Sequence, residues 1–327
     1  MVNGAPPNVA VVGGGTRVKK QLLLAALAGG SAIAGHRVAR HYRLDREAAY
    51  ARVAAVDRTA VMTRFGAVEY ADRGSGDPLL AIHGFFGGCD EALLSVRGLA
   101  ASRRIIAPSR FGYLGSSMPA GATVAGQADA FAALLDALSI DQVDVAAISS
   151  GATSALQFAL RHPDRIKHLA VISGNMPGSA TAVPPPQAAR LVYRDVPMWA
   201  LKVFARPVLL RQIGVPKGFP LAARDEQIIS DLIDSFFPVA LKSEGVAFDA
   251  FIADPDVNNY QLETLAVPTL IVHAQDDPLV SYQTAQRAAA RIPGARLASV
   301  EQGGHLILGG HREAIGHEVA AFLTGAP

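Results

Sequence analysis

The segment Val143-Asp-Val-Ala-Ala-Ile-Ser-Ser-Gly151 decides the fold of this chain of 327 residues. Its first six residues are mostly small and apolar and predict a buried strand, and a helix is predicted to follow over residues 151–161. A serine at so short a strand-to-helix turn must adopt a strained backbone, and its hydroxyl then projects clear of the sheet. The pattern therefore predicts a reactive serine at the end of a strand.

Small residues around this turn indicate which of its two serines projects. Strand and helix pass close together there, so the residues two positions before and two positions after the serine must be small. Ala147 and Gly151 meet this requirement for Ser149. For Ser150 the first of these positions would be Ile148, which is too bulky. Ser149 is therefore the predicted nucleophile and Ser150 the rival, and the alternative interpretation is a serine that only caps the helix.

Short strands alternate with helices on both sides of this segment. An antiparallel hairpin is predicted where Phe65-Gly66 separates two short runs, Val61–Thr63 and Val68–Ala71. Strands that alternate with helices favour a parallel sheet whose two faces are both covered. The other predicted strands are 79–83, 104–107, 143–148, 169–172 and 269–273, and the predicted helices are 90–101, 124–138, 151–161 and 312–323.

Residues 175–265 interrupt this alternation. They contain three consecutive prolines at 184–186, seven further prolines and several apolar stretches that are typical of helices. The simplest organisation is an α/β body split by an inserted, mostly helical cap. The predicted parts are 1–58 as an N-terminal segment with a helix, 59–174 as the first part of the body, 175–265 as the cap, and 266–327 as the second part of the body.

Two further residue types are needed if the serine is to act as a nucleophile. A serine hydroxyl attacks only when a base removes its proton, and the base needs a carboxylate to fix its tautomer. His305 follows two glycines and precedes the last predicted helix, in a loop that lets an imidazole approach the sheet. Asp276 and Asp277 follow a predicted strand, so that either carboxylate would emerge at the carboxyl edge of a parallel sheet.

The stretch His83-Gly-Phe-Phe-Gly-Gly88 directly follows another predicted strand. Glycines in this loop allow backbone N–H groups to point towards a developing oxyanion. The predicted donors are the amides of Phe85 and Ser150. His83 and Gly84 are expected to support the loop, and His83 is predicted to hold it by hydrogen bonds rather than to transfer protons.

Composition and charge exclude several classes of protein. Thirty basic residues against twenty-eight acidic residues give a net charge of +2, which offers no general attraction to nucleic acid. The single cysteine, Cys89, excludes an internal disulfide framework and a cysteine-based metal cluster. No residues have the spacing of a metal site, so neither a metal nor a cofactor is predicted. The sequence indicates no oligomeric state.

The N-terminal segment carries a different kind of signal. Arg17, Lys19 and Lys20 precede an apolar run over residues 22–35, and further arginines follow it. A basic flank before a short apolar run is typical of a secretory signal or of a membrane anchor. We therefore expect export or membrane association through residues 18–38, with a possible cleavage site at Ala32-Ile-Ala34. The alternative is a packed N-terminal helix in a cytoplasmic protein, and a separate stalk helix is predicted over residues 44–56.

Taken together, these motifs resemble those of the α/β-hydrolase superfamily over residues 60–174 and 266–327. The resemblance implies an eight-stranded, mostly parallel sheet and a lid between strands six and seven. The order Ser149, Asp277, His305 is the order of the triad in that family, whose pattern favours Asp277 over Asp276 because a turn-forming proline follows it. This chain departs from the family pattern at Ala147, which replaces a glycine, and at Ser109, which replaces an aspartate. The motifs that carry the resemblance are the hairpin, His83-Gly84, Ser109–Ser117, the serine turn, His162-Pro-Asp-Arg165, the Asp277 turn and Gly303-Gly-His305.

The resemblance implies hydrolysis through an acyl-enzyme. Some members with this fold, the haloalkane dehalogenases and epoxide hydrolases, have an aspartate where Ser149 stands here, so a serine points to an ester or related acyl substrate. His305 would be the base and Asp277 the orienting acid. The apolar cap suggests that the ester is lipophilic. Alternatives are a carbon–carbon bond hydrolase acting on dienones, a cofactor-free perhydrolase, and a catalytically silent member that binds a small ligand.

Overall fold

The structure, a computed structural model, describes residues 15–98, 103–179 and 184–325, with side chains described from residue 34 onward. Internal contacts divide the chain into two compact units, Met1–Ala48 and Ala49–Pro327. The candidate site lies wholly within the second unit.

Helix α1 runs without interruption over Gly15–Ala55. The prediction of a separate helix over 44–56 was therefore wrong in its beginning, because no proline breaks the helical run before it. Among the described side chains of the first unit, His41 pairs with Asp45 one helical turn away, at 3.4 Å.

The signal or anchor predicted over residues 18–38 falls mostly on residues whose side chains lie outside the described part. The same holds for two of the three residues in the possible cleavage site, Ala32-Ile-Ala34. Within the described residues, no helix combines the length and the apolar character that a membrane crossing requires.

The second unit is built on an eight-stranded, mostly parallel sheet, which confirms the predicted fold class. The spatial order of its strands is β1-β2-β4-β3-β5-β6-β7-β8, and only the pairs β1–β2 and β2–β4 are antiparallel. The strands are β1 (Thr59–Thr63), β2 (Gly66–Arg73), β3 (Asp77–Ile82), β4 (Arg103–Pro108), β5 (Val143–Ile148), β6 (Ile166–Ile172), β7 (Thr269–Ala274) and β8 (Arg296–Val300). Strand β8 was expected only from the family resemblance and was not located in the sequence.

Side chains alternate between the two faces of the central strands, as the pleat requires. In β3, Leu80 and Ile82 belong to the apolar cluster on one face, whereas Leu79 and Ala81 belong to the cluster on the other. All four are fully buried, so both faces need helices to cover them. The helices of the first part of the body are α2 (Cys89–Ser95), α3 (Val124–Ala137) and α4 (Gly151–Arg161). Helix α2 is shorter than the predicted 90–101, because residues 96–98 form a turn.

Residues 173–268, here called the insert, connect β6 to β7 and are mainly helical, as predicted for the cap. The insert helices are α5 (Pro186–Val192), α6 (Asp195–Phe204), α7 (Arg206–Gln212), α8 (Ala223–Ser235), α9 (Ser243–Phe248) and α10 (Asp254–Asp256), with a π-helical turn at Asp249–Ala253. The chain then completes the sheet and adds α11 (Tyr282–Arg291), which the sequence did not reveal, and α12 (His311–Leu323). The insert therefore leaves the sheet at the carboxyl end of β6 and returns to it at the amino end of β7.

Candidate active site

Ser149 occupies the sharp turn between β5 and α4 in a left-handed conformation, with φ of 52°. This conformation costs a residue with a side chain about 1–2 kcal/mol, so surrounding contacts must hold it. Its N–H donates to Ile172 O at 3.0 Å, and its carbonyl accepts from the N–H of Asn175 at 3.1 Å. A Cβ on Gly151 would lie 2.4 Å from the carbonyl oxygen of His83, which is why only glycine fits there. The steric reason for preferring Ser149 is thus visible in the structure.

The three side chains predicted to act together lie in one hydrogen-bonded chain. His305 Nε2 is 2.8 Å from Ser149 Oγ, and His305 Nδ1 is 2.8 Å from Asp277 Oδ2. An ionised carboxylate can only accept, so the proton of the neutral imidazole lies on Nδ1. Nε2 is then left to accept the proton of the serine hydroxyl. His305 and Asp277 are both buried.

The carboxylate of Asp277 is held by donors on both of its oxygens. Oδ1 accepts from the N–H groups of Leu279 and Val280 at 2.8 and 3.0 Å. Oδ2 lies 3.2 Å from His273 Nε2 in addition to His305. Burial alone raises the pKa of Asp277, but the hydrogen bonds from His273 and His305 outweigh it and hold that pKa well below its ordinary value. The carboxylate therefore stays ionised near neutral pH.

The neighbouring carboxylate, Asp276, binds backbone N–H groups and does not contact the imidazole. Its two oxygens accept from the N–H groups of Gly303 and Gly304 at 3.2 and 2.8 Å. These glycines precede His305, so Asp276 holds the loop that carries the imidazole. The structure thus separates the two candidates that the sequence left open, since only Asp277 contacts the ring of His305.

His305 is also supported by the insert, through a residue that the sequence gave no reason to single out. Its N–H donates to the carbonyl oxygen of Gly214 at 3.0 Å. Gly214 has φ of 82°, and a Cβ there would lie 2.2 Å from the Cβ of His305. Any larger residue at 214 must therefore displace the histidine.

The loop after β3 brings two backbone amides beside the serine. The N–H groups of Phe85 and Ser150 donate no hydrogen bond within the described residues. Gly84 packs against the nucleophile candidate so closely that a Cβ would lie 3.3 Å from the Cβ of Ser149. His83 Nε2 accepts from the N–H of Arg110 at 3.0 Å, so Nδ1 carries the proton and donates to Gly84 O at 2.8 Å. Burial holds the pKa of His83 well below its ordinary value, which fits a neutral structural histidine.

Helix α2 closes the other side of this loop. Glu91 is buried and accepts from the N–H of Gly84 at 3.0 Å, and burial raises the pKa of its carboxyl. Cys89, at the start of the same helix, is also fully buried, and burial raises the pKa of its thiol to about 11. A thiol with so high a pKa is protonated at neutral pH and is a poor nucleophile.

A buried ion pair that was not expected from the sequence joins the insert to this loop. The guanidinium of Arg110 and the carboxylate of Asp249 are both fully buried and bond at 2.5 and 2.6 Å. Ser150 Oγ lies between them, 3.2 Å from Arg110 Nη2 and 3.1 Å from Asp249 Oδ2. The hydroxyl of the rival serine is therefore occupied, whereas that of Ser149 faces an imidazole. Asp249 belongs to a segment that the sequence marked only as helical and apolar.

A cavity of about 1090 Å³ opens above the serine, slightly larger than the usual range of about 300–1,000 Å³ for small-molecule sites. Ser149 and His305 line its base, and the insert supplies an apolar wall. The ring of Tyr193 packs edge-on against those of Phe85 and Phe86, with centroids 5.9 and 5.2 Å apart. Other lining residues from the insert are Val192, Met198, Leu209 and Phe236. Among the described residues, no cluster of histidine, cysteine or acidic side chains could hold a metal ion.

Comparison with known proteins bears on the family and the fold of this chain. Residues 77–311 match the family model for the alpha/beta hydrolase fold. The chain belongs to the α/β hydrolase family, and the relatives that it matches are hydrolases. An uncharacterized hydrolase, YcgS, of Bacillus subtilis is 28% identical over 271 residues, covering 80% of this chain and 94% of that protein.

Two further similarities bear on function and fold. A 2-hydroxymuconate semialdehyde hydrolase of Pseudomonas putida is 27% identical, over 78% of this chain and 90% of its own length. The solved structure of an alpha/beta hydrolase fold protein from Nakamurella multipartita superposes with a TM-score of 0.61 at 25% identity, covering 82% of this chain and 99% of that one. The family and fold predicted from the sequence are thus confirmed, whereas the bond that is cleaved differs among relatives.

Proposed function

We propose that the protein is a serine hydrolase that cleaves carboxylic esters through an acyl-enzyme on Ser149. The observation that carries the proposal is the continuous chain of hydrogen bonds from Ser149 Oγ through His305 to Asp277, each 2.8 Å long. Such a chain is what a hydroxyl needs in order to lose its proton as it attacks a carbonyl carbon.

The reaction would proceed in two halves. Ser149 Oγ attacks the ester carbonyl while its proton passes to His305 Nε2, and the C–O bond to the alcohol then breaks as the alcohol takes that proton. A water molecule next attacks the acyl-serine and gives a proton to His305 Nε2. The C–O bond to Ser149 Oγ then breaks, Oγ takes that proton from His305, and the carboxylic acid is released. In both halves the negative oxygen would be bound by the N–H groups of Phe85 and Ser150, which have no other acceptor within the described residues.

Two features of the surroundings support these roles. Asp277 stays ionised and so stabilises the imidazolium that forms when His305 is protonated. His83 and Gly84 hold the oxyanion loop, His83 through its contact with Gly84 O and Gly84 through its N–H to Glu91. No step requires a metal or a cofactor.

The apolar wall of the cavity supports a lipophilic substrate. Aromatic and aliphatic side chains of the insert line much of the space above Ser149, beside polar ones such as Arg211 and Asp231. Burying an apolar group against the apolar part is favourable by about 25 cal/mol for each Å² removed from water. An ester with an extended or aromatic apolar group should therefore bind better than an acetate. The insert would then serve as a cap that closes over the bound ester.

A second candidate reaction is hydrolysis of a carbon–carbon bond in a dienone. It is favoured by the likeness to the 2-hydroxymuconate semialdehyde hydrolase, which covers most of both chains. The same serine and histidine could serve that reaction, because a fold and a triad do not determine the bond that is cleaved.

Steady-state kinetics on two substrate panels test the proposal. We expect turnover of p-nitrophenyl esters to rise with acyl chain length beyond acetate, and to fall by about 10⁵-fold or more in Ser149→Ala. Ser150→Ala is the comparison, and it should lower the activity by no more than about tenfold, because the Ser150 hydroxyl is bonded to Arg110 and Asp249 and not to His305. Poor turnover of all esters together with rapid cleavage of a ring-cleavage dienone would favour the second candidate. Full ester activity in Ser149→Ala would contradict both.

A further inference from the structure

Arg110 is a fully buried arginine that ester hydrolysis does not itself require. It follows β4, and its guanidinium makes a two-pronged contact with Asp249, with Nη1 2.5 Å from Oδ1 and Nη2 2.6 Å from Oδ2. A buried ion pair is costly to desolvate and is not by itself a good stabilising device. Its position beside the serine turn therefore calls for another reason.

The same guanidinium contacts Gly84 and Ser150. Ser150 carries one candidate oxyanion donor, and Gly84 shares a peptide group with the other, the N–H of Phe85. Arg110 Nη2 is 3.2 Å from Gly84 O and 3.2 Å from Ser150 Oγ. Nη2 carries two protons, and one of them is committed to Asp249. The other is therefore shared between the carbonyl of Gly84 and the hydroxyl of Ser150.

The contact with Gly84 O acts on the N–H of Phe85, because that carbonyl and that N–H belong to one peptide group. His83 Nδ1 donates to the same oxygen at 2.8 Å. The N–H of Gly87 also donates to it, at 3.2 Å. Together with Arg110, these donors fix the plane of the peptide and polarise it, so that its N–H becomes a stronger donor. The oxyanion would thus be bound by the N–H of Phe85, whose direction and donor strength depend on the hydrogen bonds to the carbonyl of Gly84 on the other side of the same peptide.

Asp249 adds a link to the insert. It opens the π-helical turn Asp249–Ala253, and besides Arg110 it accepts from Tyr113 Oη at 2.5 Å and from Ser150 Oγ at 3.1 Å. Single π-helical turns are rare and are found frequently at functional sites. Through Asp249, the guanidinium can hold its position only when this part of the insert is docked on the body.

We propose that Arg110 is a positioning residue for the oxyanion hole, and that Asp249 makes this positioning depend on the insert. Arg110 does not touch the substrate. It acts through the Gly84–Phe85 peptide and through Ser150, and so it favours the transition state rather than the bound ester. This inference rests on the proposed function, since it concerns the same site.

The variant Arg110→Lys tests the proposal with little loss of charge balance. A lysine keeps a cation opposite Asp249 but cannot contact Asp249, Gly84 and Ser150 together in the geometry of a guanidinium. We expect kcat for the best p-nitrophenyl ester to fall about 10- to 100-fold, somewhat less than the loss of a whole oxyanion donor, while KM changes less than about threefold. Affinity for a trifluoromethyl ketone that mimics the tetrahedral intermediate should fall by the same factor as kcat.

Arg103→Lys is the matched control. Arg103 lies at the opposite end of β4 and is also buried; its Nη1 pairs with Asp144 at 2.5 Å and its Nη2 donates to Leu323 O at 2.7 Å. Its replacement should lower the melting temperature to a similar degree but leave kcat and the affinity for the trifluoromethyl ketone unchanged. A purely structural role for Arg110 predicts that the two variants behave alike.

Ser150→Ala keeps the Arg110–Asp249 ion pair intact and decides the matter if Arg110→Lys does not fold. It should lower kcat about three- to tenfold with the same selective loss of trifluoromethyl ketone affinity. The proposal is overturned if a folded Arg110→Lys keeps wild-type kcat, or if its kcat and its ground-state binding of the ester fall together. If that variant does not fold, an unchanged affinity of Ser150→Ala for the trifluoromethyl ketone overturns the proposal. Failure of the proposed function would be seen separately, as wild-type protein that turns over no ester at all.

Discussion

The carboxyl and amino edges of the sheet contain the same pairs of residues and use them differently. At the carboxyl edge, Asp277 Oδ2 lies 2.8 Å from His305 Nδ1. Towards the amino edge, Asp144 Oδ1 lies 2.8 Å from His168 Nδ1. The far nitrogen of His305 meets a serine hydroxyl, whereas the ring of His168 packs against Phe322. A histidine–aspartate pair is therefore not a site by itself, and the group that the second nitrogen faces decides its role.

Backbone strain also differs between the two edges. Among the described residues, six that are not glycine have a left-handed backbone, and five of them lie on loops that follow the carboxyl ends of strands. Each costs about 1–2 kcal/mol, which the surrounding hydrogen bonds must offset. The five are Phe86, Leu114, Ser149, Ser173 and Ile307, and the sixth, Ser139, precedes β5. The carboxyl edge, which carries the candidate active site, is thus also the edge with most of the strained backbone conformations.

The largest expected effect separates the two histidine–aspartate pairs. Asp277→Asn should lower kcat about 10⁴-fold, because an amide no longer fixes the His305 tautomer that accepts from Ser149. The matched variant Asp144→Asn should destabilise the fold by about 3–5 kcal/mol by leaving Arg103 without its carboxylate, and should leave kcat of the folded protein unchanged. Kinetics and thermal unfolding of both variants measure the contrast. A similar loss of kcat in the two would show that the edges do not differ as described.

A smaller effect is expected from the contact between the insert and His305. Gly214→Ala should lower kcat about 10- to 100-fold, because its Cβ would lie 2.2 Å from that of His305 and must push the imidazole away from Ser149. Gly218→Ala is the control, since Gly218 has a similar φ of 79° and nothing lies within 4 Å of its Cβ position. Both variants should lose about 1–2 kcal/mol through backbone strain. Equal kcat values in the two variants would show that the contact between Gly214 and His305 does not help to position the imidazole.

The smallest effect concerns pH. The pKa of Asp277 is lower in the folded protein than its unfolded value of about 3.9, so its contribution to stability is present above that value and is lost as the pH falls through the folded pKa. The difference in free energy of unfolding between the wild type and Asp277→Asn should therefore be constant from about pH 7 to pH 5 and should shrink below about pH 4. Urea unfolding at several pH values measures it. A difference that shrinks between pH 7 and pH 5 instead would mean that the carboxylate is not held as described.

Much of the fold was predictable because its signals are local. The strand β5, the helix α4 and the small residues Ala147 and Gly151 follow from residues adjacent in the sequence, and β5 and α4 have the predicted bounds. The short strand β8 and helix α11 were not located, since neither carries a motif. The uninterrupted helix α1 was divided in the prediction because its apolar character changes along its length.

Parts of the site were not predictable, because they depend on contacts between distant residues. Asp249 lies 139 positions from Arg110, and no spacing relates the two. Gly214 belongs to the insert, where nothing in the sequence marks it as a neighbour of His305. Asp276 and Asp277 are adjacent, and only the direction of each carboxylate in the folded chain separates their roles. The sequence therefore predicts which groups react, and the structure supplies what holds them.

Labelling with a fluorophosphonate, followed by mass spectrometry of the modified peptide, identifies the nucleophile of this protein. The wild-type protein should take up one phosphonyl group, and fragmentation should place it on Ser149. Ser149→Ala should take up none while keeping the wild-type melting temperature. A label on Ser150, or a folded wild-type protein that remains unlabelled under conditions that label a known serine esterase, would show that Ser149 is not the nucleophile.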